Sequence, residues 1–375
     1  MMTRTALAVS IVCGVAALTS CAMPSQAPSA HEPVVDELLA LLETRSDLSG
    51  ALARAIDAAG VKGIDDLDAF YGYVDELVTW IPVERESVPK VLSLHYVVNQ
   101  APGDALNEDE AFSGWMRRVA ETWGAFLDTP ASAAGIESFA SLPAYNENDF
   151  VVGPSGWHTF NQFFAREIRP GKRPVAAPRD DTVIVSPADA VFMGSWPVAE
   201  DSTITVKGAQ WRVSELLDGS PFADAFANGT YTHSFLRITD YHRYHVPVGG
   251  VVKEVRNVQG RVFLDVVRQP DGSLGAANGD TYQFNQERGL VVIESPTLGL
   301  VGLVPVGMTV ISSVNLTPEV GAELRKGDQF GYFQFGGSDI VILFQDKNVT
   351  LEAEVGQKYL QGQRIGYVAL PAAAG

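Results

Sequence analysis

Two histidines lie three residues apart in one short segment, Asp240–Pro247, whose sequence is DYHRYHVP. Because the pKa of imidazole lies near neutrality, His242 and His245 suit acid and base catalysis. Two other interpretations stay open: a metal site, and a pair of structural polar residues at the end of a strand. No HExxH pattern, cysteine or nearby acidic cluster completes a metal site, and we expect no bound metal.

A glycine pair runs directly into Ser338 at the start of an apolar segment. A hairpin turn with a solvent-facing serine is one interpretation. A hydrolase nucleophile elbow is disfavoured, because Ile340 replaces the second glycine of that motif and a strand follows instead of a helix. The third interpretation is attack of the Ser338 hydroxyl on the carbonyl of Gly337, which the glycines leave unshielded.

Such an attack needs a base for the hydroxyl proton and a carboxylate that orients the base. Either His245 or His242 is a candidate base. The segment Ser186–Ala190 (SPADA) follows a predicted strand and offers Asp189 as the carboxylate. Taken alone, Asp189 is typical of a turn, so only the combination of the three groups indicates catalysis.

Two stretches before residue 130 carry apolar residues at helical spacing and end before Pro82 and Pro130. The residues are Leu67, Phe70, Tyr71, Val74, Leu77, Val78 and Ile81 in the first and Phe112, Trp115, Met116, Val119, Trp123, Phe126 and Leu127 in the second. We interpret these aromatic faces as core and not as a cofactor box. We predict a loop at 129–154 and a domain boundary within it.

From about Val183 the pattern changes to short apolar runs separated by Gly, Asn, Asp and Pro. The runs are 183–185, 235–238, 251–252, 262–264, 290–293, 310–311 and 340–344. They predict a many-stranded, mainly antiparallel β domain, because no helical pattern alternates with them. The predicted fold class is α+β, with a helical N-terminal domain at 34–150 and the β domain at 151–375.

The composition supports a large core and argues against one class of partner. The chain has 375 residues, 46% of them hydrophobic and 19% charged, and its formal net charge is −18. Since this charge repels phosphate backbones, we expect no nucleic-acid partner. Cys13 and Cys21 are the only cysteines, so the folded body has no disulfide framework.

The first 20 residues are predicted to be a signal peptide. Arg4 precedes an uncharged, mostly apolar run, Ala6–Leu18, which is too short to span a bilayer. The sequence LTSC at Leu18–Cys21 resembles a bacterial lipobox, in which the cysteine is lipidated; the alternative is an ordinary signal with an accidental cysteine. Residues 21–33 are expected to be a flexible tether. We therefore expect a lipid-anchored protein on an extracytoplasmic membrane surface of a bacterial envelope.

Four motifs in one order resemble those of the phosphatidylserine decarboxylase family, whose members make a pyruvoyl group from an internal serine. They are Phe160–Ile168 (FNQFFAREI) with Arg173-Pro174, Ser186–Asp189, Tyr241–His245 (YHRYH) and Gly336–Ser338. The matching region runs from about Gly156 to Gly366. Ala190, Gly336 and Asp339 depart from the family's usual Gly, Leu and Thr. We expect Asp339, next to the residue that would become the pyruvoyl group, to affect the choice of substrate.

The resemblance implies that His245, oriented by Asp189, activates Ser338 to attack Gly337. The chain then breaks after Gly337, and sheet pairing keeps the resulting α and β chains together. The implied cofactor is the pyruvoyl group derived from Ser338, whose ketone forms a Schiff base with the substrate amine and acts as an electron sink. His242 is the implied proton donor to the carbanion left by loss of CO2.

The implied substrate is an amine-bearing carboxylate, and phosphatidylserine is the leading one. The alternative is a free, aromatic amino acid such as tryptophan, because the helical region loosely resembles an extension found on decarboxylases of such amino acids. A catalytically inactive lipoprotein binding module and a serine hydrolase are the rivals from other classes. A homodimer is an open option. We interpret the apolar face of Phe160–Ile168 as core; a lipid entrance with Arg166 near a phosphate or carboxylate is the alternative.

Overall fold

A computed structural model of the chain describes residues 30–101, 104–206, 209–277, 284–308, 313–335 and 338–369. The predicted signal peptide and Cys21 lie outside these residues. From His31 onwards the chain forms one compact unit. Among the described helices, none has the length and hydropathy that a membrane span requires.

The amino-terminal part of the described chain, up to Phe164, is mainly helical. Its α-helices are α1 (Pro33–Thr44), α2 (Ser46–Ala59), α3 (Leu67–Val78), α4 (Glu84–Val98), α5 (Asp104–Glu108), α6 (Glu110–Leu127), α7 (Ile136–Ala140) and α8 (Phe160–Phe164). Side-chain caps fix several starts: Asp66 accepts a hydrogen bond from the backbone of Ala69, and Thr159 accepts one from Gln162. Such caps satisfy backbone donors that a helix start leaves unpaired.

The predicted helical faces are confirmed as core. Helix α3 ends at Val78, before Ile81, and α6 covers the whole second stretch. Trp115 and Trp123 are buried in one helical cluster with the α8 phenylalanines. The predicted loop at 129–154 is wrong in part, since it contains α7 and short 3-10 turns such as Pro130–Gly135.

The rest of the described chain is built mainly from strands, together with one short α-helix, α9 (Val213–Leu217), and a 3-10 turn at Ala223–Phe226. The strands are β1 (Val183–Val185), β2 (Ala190–Pro197), β3 (Thr203–Val206), β4 (Ala209–Arg212), β5 (Thr230–Leu236), β6 (Arg243–His245), β7 (Gly250–Val258), β8 (Val266–Arg268), β9 (Leu274–Ala276), β10 (Arg288–Ser295), β11 (Gly299–Gly307), β12 (Val314–Leu316), β13 (Glu323–Leu324), β14 (Gln329–Phe333), β15 (Ser338–Phe344), β16 (Val349–Leu351), β17 (Lys358–Tyr359) and β18 (Arg364–Val368).

The largest sheet has the order β13-β7-β10-β11-β15-β5-β2-β17. Three-stranded sheets β1-β18-β16 and β12-β14-β6 accompany it, and the named strands pair antiparallel throughout. The predicted α+β class is therefore confirmed. The predicted run 310–311 lies outside the described residues.

Strand β15 lies inside the largest sheet and is buried on both faces. Ile340 and Ile342 belong to the apolar cluster on one face, and Val341 and Leu343 belong to the cluster on the other. Since side chains alternate between faces along a strand, Ser338 shares the face of Ile340. Strands β6 and β14 contribute to the cluster on that face, so the histidine segment and Ser338 approach each other from two sheets.

The helical region and the β region share one core. Val262 and Phe335 come from the β region, yet both are buried in the helical cluster. The predicted strand 262–264 is wrong, because this segment leaves the sheet to pack on the helices and Leu264 contacts the α4 side chains. The predicted domain boundary at residue 150 stays a prediction.

His95 in α4 gives the fold a pH dependence. Its side chain is fully buried, and within the described structure neither ring nitrogen has a hydrogen-bond partner. Burial lowers the pKa of His95 to about 3 from 6.5, so the unfolded chain binds a proton that the folded chain excludes. The free energy of unfolding therefore falls as the pH drops from 6.5 toward 3, and His95 contributes up to about 1.4 kcal/mol per pH unit.

We expect His95→Leu to raise the free energy of unfolding by about 1–3 kcal/mol at neutral pH, because it removes two unsatisfied polar atoms. The gain should widen between about pH 7.5 and about pH 5, where wild type begins to lose stability. Urea unfolding at both pH values measures this, with the exposed His158→Leu as the control. Equal pH slopes in wild type and His95→Leu would contradict the assignment.

Candidate active site

Ser338 is the first residue of β15 and is 1% exposed. Strand pairing places it opposite Leu236 on β5 and Gly307 on β11. Its hydroxyl oxygen lies 3.3 Å from Nδ1 of His242. The interpretation of Ser338 as a solvent-facing turn residue is therefore wrong, and the serine meets one of the two predicted histidines inside the protein.

His242 presents an unprotonated nitrogen to this serine. Its Nε2 lies 3.0 Å from the carbonyl oxygen of Arg237 and donates to it, which leaves the Nδ1 lone pair to accept from the Ser338 hydroxyl. Burial, followed by the charge of Arg166, lowers the pKa of His242 to about 3. The ring packs against Phe164, with 4.0 Å between the ring centroids and 31° between the ring planes. At neutral pH His242 is thus a fixed, neutral base.

His245, three residues further along the chain, has other partners. Its Nδ1 lies 2.8 Å from the carbonyl oxygen of Gly327, and its Nε2 lies 3.1 Å from the hydroxyl of Tyr241. The first contact fixes the proton on Nδ1, so Nε2 accepts from the tyrosine. Burial lowers the pKa of His245 to about 4. The described hydrogen bonds of His245 thus go neither to Ser338 nor to Asp189.

Asp189 is 2% exposed and is held by an arginine. Arg173 donates to its carboxylate from Nε at 2.9 Å and from Nη2 at 2.6 Å, and the backbone N–H of Gln361 donates at 2.9 Å. Arg173 also pairs with Asp149 at 3.0 Å. The charge of Asp189 raises the pKa of His245, against the larger effect of burial. Asp189 therefore affects His245 through the electrostatic attraction of its negative charge, and no described hydrogen bond joins the two side chains.

Two other predicted positions, Gly337 and Asp339, are not part of the described contacts around Ser338. Gly337, the predicted cleavage position before Ser338, lies outside the described residues. Asp339 points to the opposite face of the sheet, where its Oδ1 lies 2.7 Å from Nε2 of His233. Among the described residues, no group of three His, Cys, Asp or Glu side chains is arranged to hold a metal ion.

Three neighbours of the site were missed by sequence reasoning. Arg173 binds Asp189, Phe164 packs against the His242 ring, and the Tyr241 hydroxyl hydrogen-bonds to His245. All three lie within the motifs, but a motif does not show which partner each side chain contacts in the fold. Arg166 is 1% exposed, donates to the carbonyls of Thr239 and Asp240, and lies over the ring of Phe150. The α8 phenylalanines are confirmed as core.

Comparison with known proteins matches this region. The family model described as "Phosphatidylserine decarboxylase" matches residues 160–367, more than half of the chain. The phosphatidylserine decarboxylase proenzyme 2 of Oryza sativa subsp. japonica is 30% identical over 250 residues, which cover 66% of this chain and 39% of the rice protein. The chain thus spans about two fifths of the length of that relative.

Two further relatives are matched over most of their own length. The phosphatidylserine decarboxylase proenzyme of Fusobacterium nucleatum is 25% identical over 238 residues, covering 63% of this chain and 76% of the relative. The decarboxylase iboD of Amanita muscaria is 29% identical over 300 residues, which cover 68% of this chain and 83% of the relative. With the family model spanning both histidines, Asp189 and Ser338, this chain belongs to the phosphatidylserine decarboxylase family.

Proposed function

We propose that the chain is a self-processing, pyruvoyl-dependent decarboxylase whose leading substrate is phosphatidylserine. The observation that carries the proposal is the buried contact between the Ser338 hydroxyl and the neutral Nδ1 of His242, directly after a glycine pair. Family membership and the proenzyme names of two relatives support it.

The proposed self-cleavage consumes one molecule of water and releases one molecule of ammonia. The Ser338 oxygen attacks the carbonyl carbon of Gly337, the C–N bond breaks, and an ester with a free amine at residue 338 results. Removal of the α-proton of residue 338 expels the Gly337 carboxylate and leaves dehydroalanine. Its imine tautomer takes up water and releases ammonia, and a pyruvoyl group remains at the start of the chain 338–375.

The residues around Ser338 fit such a group. The site is buried and has a neutral imidazole 3.3 Å from the serine oxygen, so a proton can be held there. When formed, a pyruvoyl group supplies an electron sink for loss of CO2 from an amine-bearing substrate. In this proposal His242 holds and moves a proton at Nδ1. The roles of His245 and Asp189 in activating Ser338 stay predictions.

Intact-mass analysis of the purified chain tests the proposal. Cleavage after Gly337 predicts two masses, and the species that begins at residue 338 should carry a keto group that reacts with a carbonyl reagent. Supplying phosphatidylserine and tryptophan separately, and measuring released CO2, separates the two substrate classes. A single continuous chain with an ordinary serine would contradict self-processing and would favour the inactive scaffold.

The lipid anchor and the extracytoplasmic location are part of the proposal. Residues 1–20 carry the features of a signal peptide, and Cys21 closes a lipobox-like sequence. An anchored enzyme would work at a bilayer, which suits a phospholipid substrate. Mass analysis of Cys21→Ser against wild type should show loss of an acyl modification, and cell fractionation should show release of the protein from the membrane fraction. Unchanged fractionation would contradict the anchor.

A further inference from the structure

The chain just before Ser338 is fastened in the helical core. Phe335 is 2% exposed and belongs to the helical cluster, not to either cluster of the large sheet. Its ring makes edge-on contacts with Trp123, Phe160 and Phe164, at centroid distances of 5.7, 4.9 and 5.2 Å. A buried aromatic ring held by several others has little freedom to move.

Asn161 adds a polar clamp at the same place. Its Oδ1 accepts from the backbone N–H of Phe335 at 3.3 Å, and its Nδ2 donates to Asp128 and to the carbonyl of Gly124, both at 3.1 Å. The Gln334 side chain donates to the same Asp128 oxygen at 3.3 Å. Helices α6 and α8 thereby hold the backbone directly ahead of the glycine pair.

Open space lies beside the polar part of the clamp. Two cavities of about 360 and 330 Å³ are both lined by Asp128, Asn161 and Gln334. General packing therefore does not enclose the Gln334 side of the segment, and the hydrogen bonds of Asn161 and Asp128 carry much of its restraint. This separates the clamp from an ordinary buried polar contact.

We infer that Asn161, with Asp128 and the ring of Phe335, forms a positioning clamp through which the helical region controls self-cleavage. The inference rests on the proposed function. Two glycines separate Phe335 from Ser338 in sequence, and glycine has the largest backbone freedom. Anchoring Phe335 in the helices and Ser338 in the sheet limits that freedom, so that the hydroxyl and the scissile carbonyl meet more often.

The test is a pulse–chase of the full-length chain with denaturing electrophoresis. We expect Asn161→Asp to slow cleavage at least about 10-fold. The new carboxylate would repel that of Asp128, and the backbone at Phe335 would shift from its position. Asp128→Asn in the same chain exchanges donor and acceptor and should restore cleavage to within about threefold of wild type, because most of the clamp hydrogen bonds can form again. The matched control is Asn107→Asp, at an asparagine that bonds Val98 away from the segment.

A second pair guards against a folding defect. Phe335→Leu should slow cleavage, whereas Phe70→Leu, which removes an equally buried ring of the same cluster, should leave cleavage unchanged. Protease resistance of the uncleaved chains establishes that they are folded, and rates are compared per folded molecule.

The possible results separate the two claims. Slow cleavage of folded Asn161→Asp and Phe335→Leu chains, with rescue by the exchange, supports the clamp. Wild-type cleavage rates in both variants overturn the clamp while the proposed function stands. An uncleaved wild type overturns the proposed function itself.

Discussion

Ser338→Ala is expected to give a folded, uncleaved and inactive chain. The substitution removes the oxygen that attacks Gly337, so neither the ester nor the pyruvoyl group can form, and both processing and decarboxylation should fall to background. The fold should survive, because Ser338 is buried at the start of β15 and alanine fits the same space. Intact mass and CO2 release measure the two losses.

Ser295→Ala is the matched control for this experiment, since it removes another buried hydroxyl at a strand end in the same sheet. That variant should split and turn over as wild type does. A Ser338→Ala chain that still divides after residue 337 would refute the assignment of the cleavage site.

His242→Ala is expected to lower decarboxylation by at least about 100-fold, the usual contribution of a positioned acid or base. The reason is the contact of Nδ1 with the Ser338 oxygen, at the position where the reactive group would form. The exposed His158→Ala should retain full activity. Activity of His242→Ala close to wild type would exclude a catalytic role for this ring.

Processing in His242→Ala and His245→Ala assigns the cleavage base. The resemblance predicts that His245→Ala stays uncut while His242→Ala is cut but inactive. The hydrogen bond from Ser338 to His242 predicts instead that His242→Ala stays uncut and that His245→Ala is cut. Because burial lowers both pKa values, to about 3 and about 4, either base is neutral from about pH 5 upward, and the cleavage rate should not rise through pH 6.5.

The sequence was most informative where contacts are local. The spacing of Phe112, Trp115 and Trp123 defines a helix face by itself, so α6 and its buried side were predictable. The convergence of His242 and Ser338 was predictable only through the family motifs, because 96 residues separate them in the chain.

The missed features depend on distant partners. Nothing near Asp189 shows that Arg173 holds it, and nothing near Phe335 shows that its ring belongs to the helices. The run 262–264 is apolar for the same reason, since it packs on α4 and the helical cluster and not within the sheet. Short apolar runs do not reveal which surface they cover.

The position of β15 also determines how a cut molecule would behave when denatured. The chain that begins at residue 338 supplies β15 between β11 and β5, pairs β17 with β2, and pairs β18 with β1. Two separate polypeptides would then have to find each other, so renaturation would become a second-order reaction that slows on dilution. The uncut Ser338→Ala chain would renature at a rate independent of its concentration.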